Sequence, residues 1–332
     1  MSEKILTVSI AAYNLGDMLN QCIVSFSKSK HFDQIELIIT NDGSKDNTLE
    51  NALKWQNKFP NSVKVIDKKN EGAGSTVNCG IKNATGKYFR MVDGDDWVKS
   101  ENIDSFIEFL AAHDSDMVVS DYIFFDNSKS IETNPVSFNL PTDKECLLDD
   151  YINFLPHEMH AITYKTSVLK NHVVLDNGFY TDVEYLLFPL DRVETISYFN
   201  KIIYVYRVGQ MNQSVSPQSR IKNFSHHEKV MNHTIEWFEK TFKVLSEQHK
   251  QFIAHRIALL ADSHLTVMLM LPKSKEHKQQ IKFFISRLSD YPYIMNYFHK
   301  NKKYCLLKYS NYWFYGIAHR IVWKKLKNGI NV

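Results

Sequence analysis

Three carboxylates, Asp93, Asp95 and Asp96, crowd the end of an apolar-rich run reading Tyr88-Phe89-Arg90-Met91-Val92. Negative charge packed that closely costs free energy unless a cation or hydrogen-bond donors offset it. Hard divalent cations take oxygen ligands, and Mg²⁺ commonly uses one or two carboxylates together with substrate phosphates. The stretch fits a metal–diphosphate site at the carboxyl end of a strand. It also fits a solvated turn capping a helix, since Asp and Gly are frequent turn formers. The elements around it have to discriminate.

Those elements alternate regularly. Lys4 to Ala12 is a β-branched apolar run, the pattern of a strand buried on both faces. Tyr13-Asn14 ends it, and Met18, Leu19, Cys22, Ile23 and Phe26 follow at helical spacing. Ile35 to Thr40 is a second strand, closed by Asn41-Asp42-Gly43-Ser44. Asp46 or Asn47 can cap the helix that runs on to Lys58. Ser62 to Ile66 is a third strand, Asn70 to Ser75 a turn, and a helix then runs to about Ala84 before Gly86 stops it. The Tyr88 strand, a helix over Lys99 to Ala112 and a strand over Asp116 to Phe125 complete the series. Strict alternation predicts a parallel α/β sheet with right-handed crossovers. Ligands of such sheets bind outside the carboxyl ends of the strands. Tyr13-Asn14, Asn41-Asp42 and Asp93 to Asp96 all fall there, and three polar tips are harder to explain as turns than one.

The later chain is mixed. Asp126 to Pro141 reads as loop, Glu145 to Phe154 as a short helix, Met159 to Tyr164 as a strand, and Ile196 to Arg207 as one or two strands. Beyond Pro217 the pattern is helical, with a long apolar-rich helix over Phe252 to Leu271.

Composition narrows the class. The chain has 332 residues, 44% of them apolar, and a net charge of only +3, so no nucleic-acid partner is expected. Its four cysteines have no close spacing, which suits a reducing cytoplasm and argues against a zinc site or disulfide framework. The N-terminus lacks the pattern of a signal peptide. No unbroken apolar run reaches membrane-spanning length, so no spanning helix is expected.

Taken together, Val8 to Asn14, Ile38 to Asp46, Asn70-Glu71-Gly72 with Asn78, and Gly86 to Phe89 leading into Asp93-Gly94-Asp95-Asp96 resemble the inverting family 2 glycosyltransferases with the GT-A fold. These make bacterial surface polysaccharides. The resemblance covers residues 5 to 125 well and 178 to 216 more loosely. It implies an α/β, Rossmann-like, mostly parallel sheet domain with a C-terminal helical extension. Residues 1–125 would be its nucleotide-sugar half, 126–216 its acceptor half, and 217–332 the helical region. It also implies Mn²⁺ or Mg²⁺ as cofactor and a nucleotide-sugar donor, with Ala11 and Tyr13 flanking the base and Asp42 accepting from a uracil N–H. Asn78 would contact the nucleotide. Asp95 would lie near the ribose or the metal, Asp96 would be the direct metal ligand, and Asp93 a supporting carboxylate of the cofactor site. Two departures matter. Val77 stands where members often carry an Arg before Asn78, for which Lys68, Lys69 or Lys82 would substitute, and Asn41 replaces a frequent Asp.

Inversion needs a base for the acceptor hydroxyl. In the family this is an Asp opening a helix, and Asp182 in Tyr180-Thr181-Asp182-Val183-Glu184-Tyr185 matches it, with Thr181 in place of the usual Glu. Glu184 is the alternative base, and Thr181 or Asp182 as a plain helix cap is the alternative role. Arg207 is expected on the diphosphate or acceptor, and Gln213 and Ser214 on a loop over the donor. His226-His227, and His157 with His160, are expected to be satisfied or surface histidines.

No acid follows Asp290, whereas Tyr304 to Lys327 mixes aromatic and basic residues. That composition suits a helix lying on an anionic bilayer, so residues 300–328 are expected at a membrane surface. A helix packed on its neighbours is the other reading. The acceptor would be a glycan or lipid-linked, and the location cytoplasmic, peripheral at the inner face of the cell membrane. A non-catalytic nucleotide-sugar-binding or scaffolding subunit is the competing class. A dinucleotide-dependent dehydrogenase is disfavoured, because no Gly-x-Gly-x-x-Gly follows the first strand.

Overall fold

Leu6, Val8 and Ile10 of the first strand are completely buried, and every residue of Ile35–Asp42 is buried. Strands buried on both faces belong in the middle of a covered parallel sheet, and that is where a computed structural model places them. It describes residues 3–142, 144–176, 180–209 and 217–327. The chain divides into two compact units, Met1–Met211 and Asn212–Val332.

The first unit opens with β1 (Leu6–Ala12), α1 (Met18–Ser27), β2 (Ile35–Asp42), α2 (Thr48–Lys58), β3 (Val63–Lys68), α3 (Ala73–Asn83) and β4 (Tyr88–Asp93). Next come β5 (Trp97–Val98), α4 (Ser100–Ala112), β6 (Met117–Asp126), β7 (Ile131–Glu132), β8 (Cys146–Leu147), β9 (Ile162–Lys165) and β10 (Thr195–Val208). The sheet order is β3-β2-β1-β4-β9-β6-β10-β5, with β7 on β6 and β8 on β10. β1 lies parallel to β2 on one side and to β4 on the other, so the strand order reverses beside β1. Ala11 is in register with Thr40 and with Asp93, which brings the three polar tips to one edge.

The sheet is mostly parallel, as expected, and β9, beyond the alternating stretch, is an exception. Met159–Ala161 is a turn of 3₁₀ helix, and only Ile162–Lys165 is strand, running antiparallel between β4 and β6. A strand this short has too few residues for its alternation to reveal its direction. The Ile196 to Arg207 region is a single strand, β10, with register shifts between Phe199 and Tyr204. These irregularities bend it, and its distal half pairs Tyr204 with Val98 and Val205 with Trp97, beside the acidic turn.

The second unit is helical. Ser246 caps its longest helix, Glu247–Met270, by accepting from the His249 N–H. Among the described residues this is the one helix long and apolar enough to cross a membrane, but 72% of that apolar stretch is buried within the protein. The tail is two helices, Lys302–Tyr309 and Tyr315–Lys327, broken where Asn311 and Tyr312 adopt positive φ of 48° and 62°. Tyr304, Leu307, Tyr312, Tyr315, Ala318 and Val322 face inward, so the tail packs on its unit. Tyr309, Trp313, Phe314, Ile317, Ile321 and Trp323 remain exposed on the other side. The inward face matches the reading of a helix packed on its neighbours.

Gly94 shows how tightly the acidic turn sits on β1. A Cβ at this position would lie 2.3 Å from Leu15 Cδ1 and 2.8 Å from the Ala11 carbonyl oxygen. Ala11 cannot yield without disturbing its pairing with Asp93. Gly94→Ala is therefore expected to destabilise the protein by about 1–3 kcal/mol, the usual cost of overpacking. Urea denaturation checks this, and an unchanged midpoint would show that the turn has slack.

Candidate active site

The acidic turn is built around Asp96, which is only 1% exposed. Its Oδ2 accepts from the Tyr204 hydroxyl at 2.6 Å, and its Oδ1 from the Arg207 backbone N–H at 2.7 Å. The same Tyr204 oxygen accepts the Asp93 N–H at 3.1 Å. Arg207 adds a clamp. Nε donates to the Asp95 carbonyl at 2.8 Å, Nη1 to Asn127 Oδ1 at 3.0 Å and Nη2 to Gln21 Oε1 at 2.6 Å, with the guanidinium 4.6 Å from the Trp97 ring centroid. Asp96, expected as the direct metal ligand, also anchors the bent end of β10. Arg207 does not reach out freely to a diphosphate, because each guanidinium nitrogen already has a protein acceptor. Asp93 and Asp95 stay half-buried on the turn.

Burial, then the charges of Asp95 and Asp182, push the Asp93 carboxyl up to about 7. Burial and the neighbouring carboxylates push Asp96 well above the ordinary range, against the pull of its Tyr204 and Arg207 hydrogen bonds. A cation would relieve this repulsion. Ligand atoms of Asp93, Asp96 and His160 lie within 4.8 Å of one another. Each Asp96 oxygen keeps lone-pair capacity beyond its one hydrogen bond. Burial and the Arg90 charge push His160 down to about 3, which keeps its imidazole neutral. Two carboxylates and a neutral imidazole fit a divalent metal ion. His160, read from sequence as a satisfied or surface residue, is instead 7% exposed and belongs to this cluster.

Asp182 is the first residue of the Asp182–Leu187 helix and is open to solvent. Its carboxyl is nonetheless raised above the ordinary value, first by the protein packed around it and then by Glu184. It is close enough to Asp93 to raise that group in turn. Glu184, the alternative base, is completely buried, and its Oε2 accepts from the Leu175 N–H at 2.8 Å. It therefore supports the segment before the helix. Thr181 stands at the helix N-cap without a side-chain capping bond.

At the other tips, Asp42 closes the Asn70–Gly72 turn. Its Oδ1 accepts from Lys68 Nζ at 2.5 Å and the Glu71 N–H at 2.9 Å, and its Oδ2 from the Gly72 N–H at 3.0 Å. Lys68, one of three expected substitutes for the missing Arg, thus sits at this tip. Asn41 donates to Asp67 Oδ1 at 2.7 Å. The Asn78 amide ties α3 to residues 174–176, donating to the Val174 carbonyl at 2.8 Å and Asp176 Oδ1 at 2.7 Å and accepting from the Val174 N–H at 3.0 Å. That is a scaffold contact where sequence suggested a nucleotide contact. Tyr13 projects from the end of β1 with 49% of its surface exposed, and Ala11 lies between Thr40 and Asp93. Gln213 and Ser214 lie outside the described residues.

The sequence profile of Glycosyl transferase family 2 matches residues 7–172. The chain belongs to glycosyl transferase family 2. Glycosyltransferase GlyG of Streptococcus pneumoniae is 35% identical over 131 residues, 39% of this chain and 42% of that protein. The minor teichoic acid biosynthesis protein GgaB of Bacillus subtilis is 26% identical over 257 residues, 74% of this chain but 27% of GgaB. The match thus spans less than half of either relative. Residues 1–349 of S. aureus TarS, in a crystal structure with UDP-GlcNAc, share the fold with a TM-score of 0.66 at 20% identity, covering 98% of this chain and 92% of that one.

For this family 2 chain the raised Asp93 has a measurable consequence. Asp93 holds its proton more tightly folded than unfolded, so its contribution to stability is complete below about pH 4. That contribution is lost as pH rises through about 7. A divalent cation should restore stability where the carboxylates are ionised. Mn²⁺ is expected to raise the melting temperature of the chelator-treated protein at pH 8, and by less at pH 5. Scanning fluorimetry at the two pH values checks this, and an equal or larger gain at pH 5 would contradict it.

Proposed function

We propose that the chain is an inverting glycosyltransferase. It would move a sugar from a nucleotide-diphosphate donor, a UDP-sugar, to a hydroxyl of a glycan or lipid-linked acceptor in surface polysaccharide synthesis. The observation that carries this reading is Asp182, open to solvent yet electrostatically coupled to Asp93 on the acidic turn. The names of GgaB and of the UDP-GlcNAc complex of TarS support a surface glycan and a uridine donor.

The residues divide the work. Tyr13 stacks on the base, and Asp42, with a lone pair left on Oδ2 beside the Gly72 N–H, accepts the uracil N–H. Asp93 and Asp95 face the ribose and diphosphate. A divalent metal, Mn²⁺ or Mg²⁺, held by the acidic turn would neutralise charge on the leaving diphosphate. Asp182 takes the proton of the acceptor hydroxyl. The acceptor oxygen then forms its bond to C1 as the bond from C1 to the diphosphate oxygen breaks, and the electron pair leaves with the diphosphate. Attack opposite the leaving group inverts the anomeric centre. Tyr204 and Arg207 keep the turn in place during the exchange.

Asp182→Asn is expected to lower sugar transfer by about 10²–10⁴-fold, the range for losing a general base, while UDP still binds. Transfer assays with calorimetric UDP titration check this, and full transfer by the variant would exclude Asp182 as base.

The exposed face of the tail is proposed to hold the protein on an anionic membrane carrying a lipid-linked acceptor. Trp313, Phe314, Ile317 and Ile321 form its apolar side. Beside them a recess of about 570 Å³ is lined by Lys273, Lys275, Lys278, Arg320 and Trp313 among others, a charge pattern that suits phosphate headgroups. Replacing Trp313, Ile317 and Ile321 together by Ser spares the inward face. It is expected to weaken binding to phosphatidylglycerol vesicles by about tenfold or more, since each side chain loses roughly 1.5–3 kcal/mol of apolar burial. Unchanged vesicle co-sedimentation would rule this surface out.

A further inference from the structure

Three side chains from the end of β10 gather at the acidic turn: Tyr204, Tyr206 and Arg207. Two of them are spent on the protein. The Tyr204 hydroxyl donates to Asp96 at 2.6 Å, and the Arg207 guanidinium donates to the Asp95 carbonyl, Asn127 and Gln21. Tyr206 lies two residues beyond Tyr204 in a stretch of unbroken register, so it points to the same face of the sheet.

Its ring is held in place. It stacks on the His160 imidazole with centroids 4.2 Å apart and planes 23° apart, and it meets the Phe124 ring at 5.6 Å. The His160 ligand atom is itself within 4.8 Å of carboxylate oxygens of Asp93 and Asp96, so the phenol lies against the acidic cluster. The hydroxyl is not used in the same way. Tyr206 is half-buried, and its oxygen makes no hydrogen bond to any described residue. Burial first, then the charges of Asp93, Asp96, Asp95 and Asp182 in that order, push its pKa up. Each carboxylate of the turn thus acts on the hydroxyl more strongly than Asp182 does, which puts it on the donor side of the cleft.

A diphosphate bound there adds negative charge to a turn that already carries three carboxylates. A metal ion offsets part of that charge, and hydrogen-bond donors aimed at the same oxygens add to it. Of the three β10 side chains, only Tyr206 still has a donor to give. We propose that the Tyr206 hydroxyl is a catalytic residue that donates a hydrogen bond to a β-phosphate oxygen of the bound nucleotide. This rests on the metal–diphosphate reading and deepens it by naming a protein donor for the departing phosphate. As the bond from C1 breaks, its electron pair passes to the diphosphate, and a fixed donor stabilises that state more than the intact substrate. The phenol keeps its proton throughout.

The test uses the full chain and needs no turnover. Calorimetric titrations in Mn²⁺ compare UDP, which carries the β-phosphate, with UMP, which lacks it. Tyr206→Phe keeps the ring against His160 and removes only the hydroxyl. It is expected to weaken UDP about tenfold, the loss of one hydrogen bond to a charged group, and to leave UMP within about twofold. Unchanged UDP affinity, or an equal loss for both nucleotides, would overturn the proposal and leave the metal–diphosphate reading standing. A variant that fails to fold overturns it too, because the hydroxyl would then be serving the protein. If the wild-type protein binds UDP no better than UMP in Mn²⁺, both readings fall.

Discussion

The site depends on one buried carboxylate. Asp96 sits almost out of reach of water, held by the Tyr204 hydroxyl and the Arg207 backbone. An ionised group there is tolerable only while those donors stay in place. They stay because β10 is bent by its register shifts and laid against β5. The acidic turn and the end of β10 therefore form one object. Arg207 closes it by bonding the Asp95 carbonyl, Asn127 and Gln21, joining α1, the turn and the segment after β6. A turn fixed this way can present Asp93 and Asp95 to a ligand without reorganising, which is what electrostatic preorganisation requires.

Second constraints radiate from that object. Asp42 pins the Asn70–Gly72 turn, and Asn78 pins residues 174–176, which Glu184 also holds through the Leu175 N–H. Asp182, at the start of the helix that contains Glu184, is thereby steadied opposite the acidic turn. Polar groups that look like ligand contacts in sequence are here the scaffold that aims the few remaining ones.

Much of this was legible in the sequence. The alternation through residue 125 gave the parallel strands and their polar edge, because each strand is long and apolar enough for its period to show. Asp182 was singled out only through the family resemblance of Tyr180 to Tyr185, because an acid opening a helix is by itself as often a plain cap. The roles of Asp96 and Arg207 could not be found, because they follow from bulges in β10 that bring together residues more than a hundred positions apart. His160 was missed for a similar reason. Only the antiparallel entry of β9 reveals that it faces the carboxylates, and the short run of Ile162–Lys165 carries no sign of that direction. The break at Asn311-Tyr312 escaped because neither residue is a glycine, although Asn is the residue type that most readily adopts positive φ after glycine.

The central claim is that the acidic turn holds a nucleotide diphosphate through a divalent cation. Isothermal titration of the full chain with UDP, in Mn²⁺ and then in chelator, tests it most directly. The account predicts measurable UDP affinity in Mn²⁺ that falls at least about tenfold, a difference of roughly 1.4 kcal/mol, when the ion is removed. Equal affinity with and without the cation would contradict it.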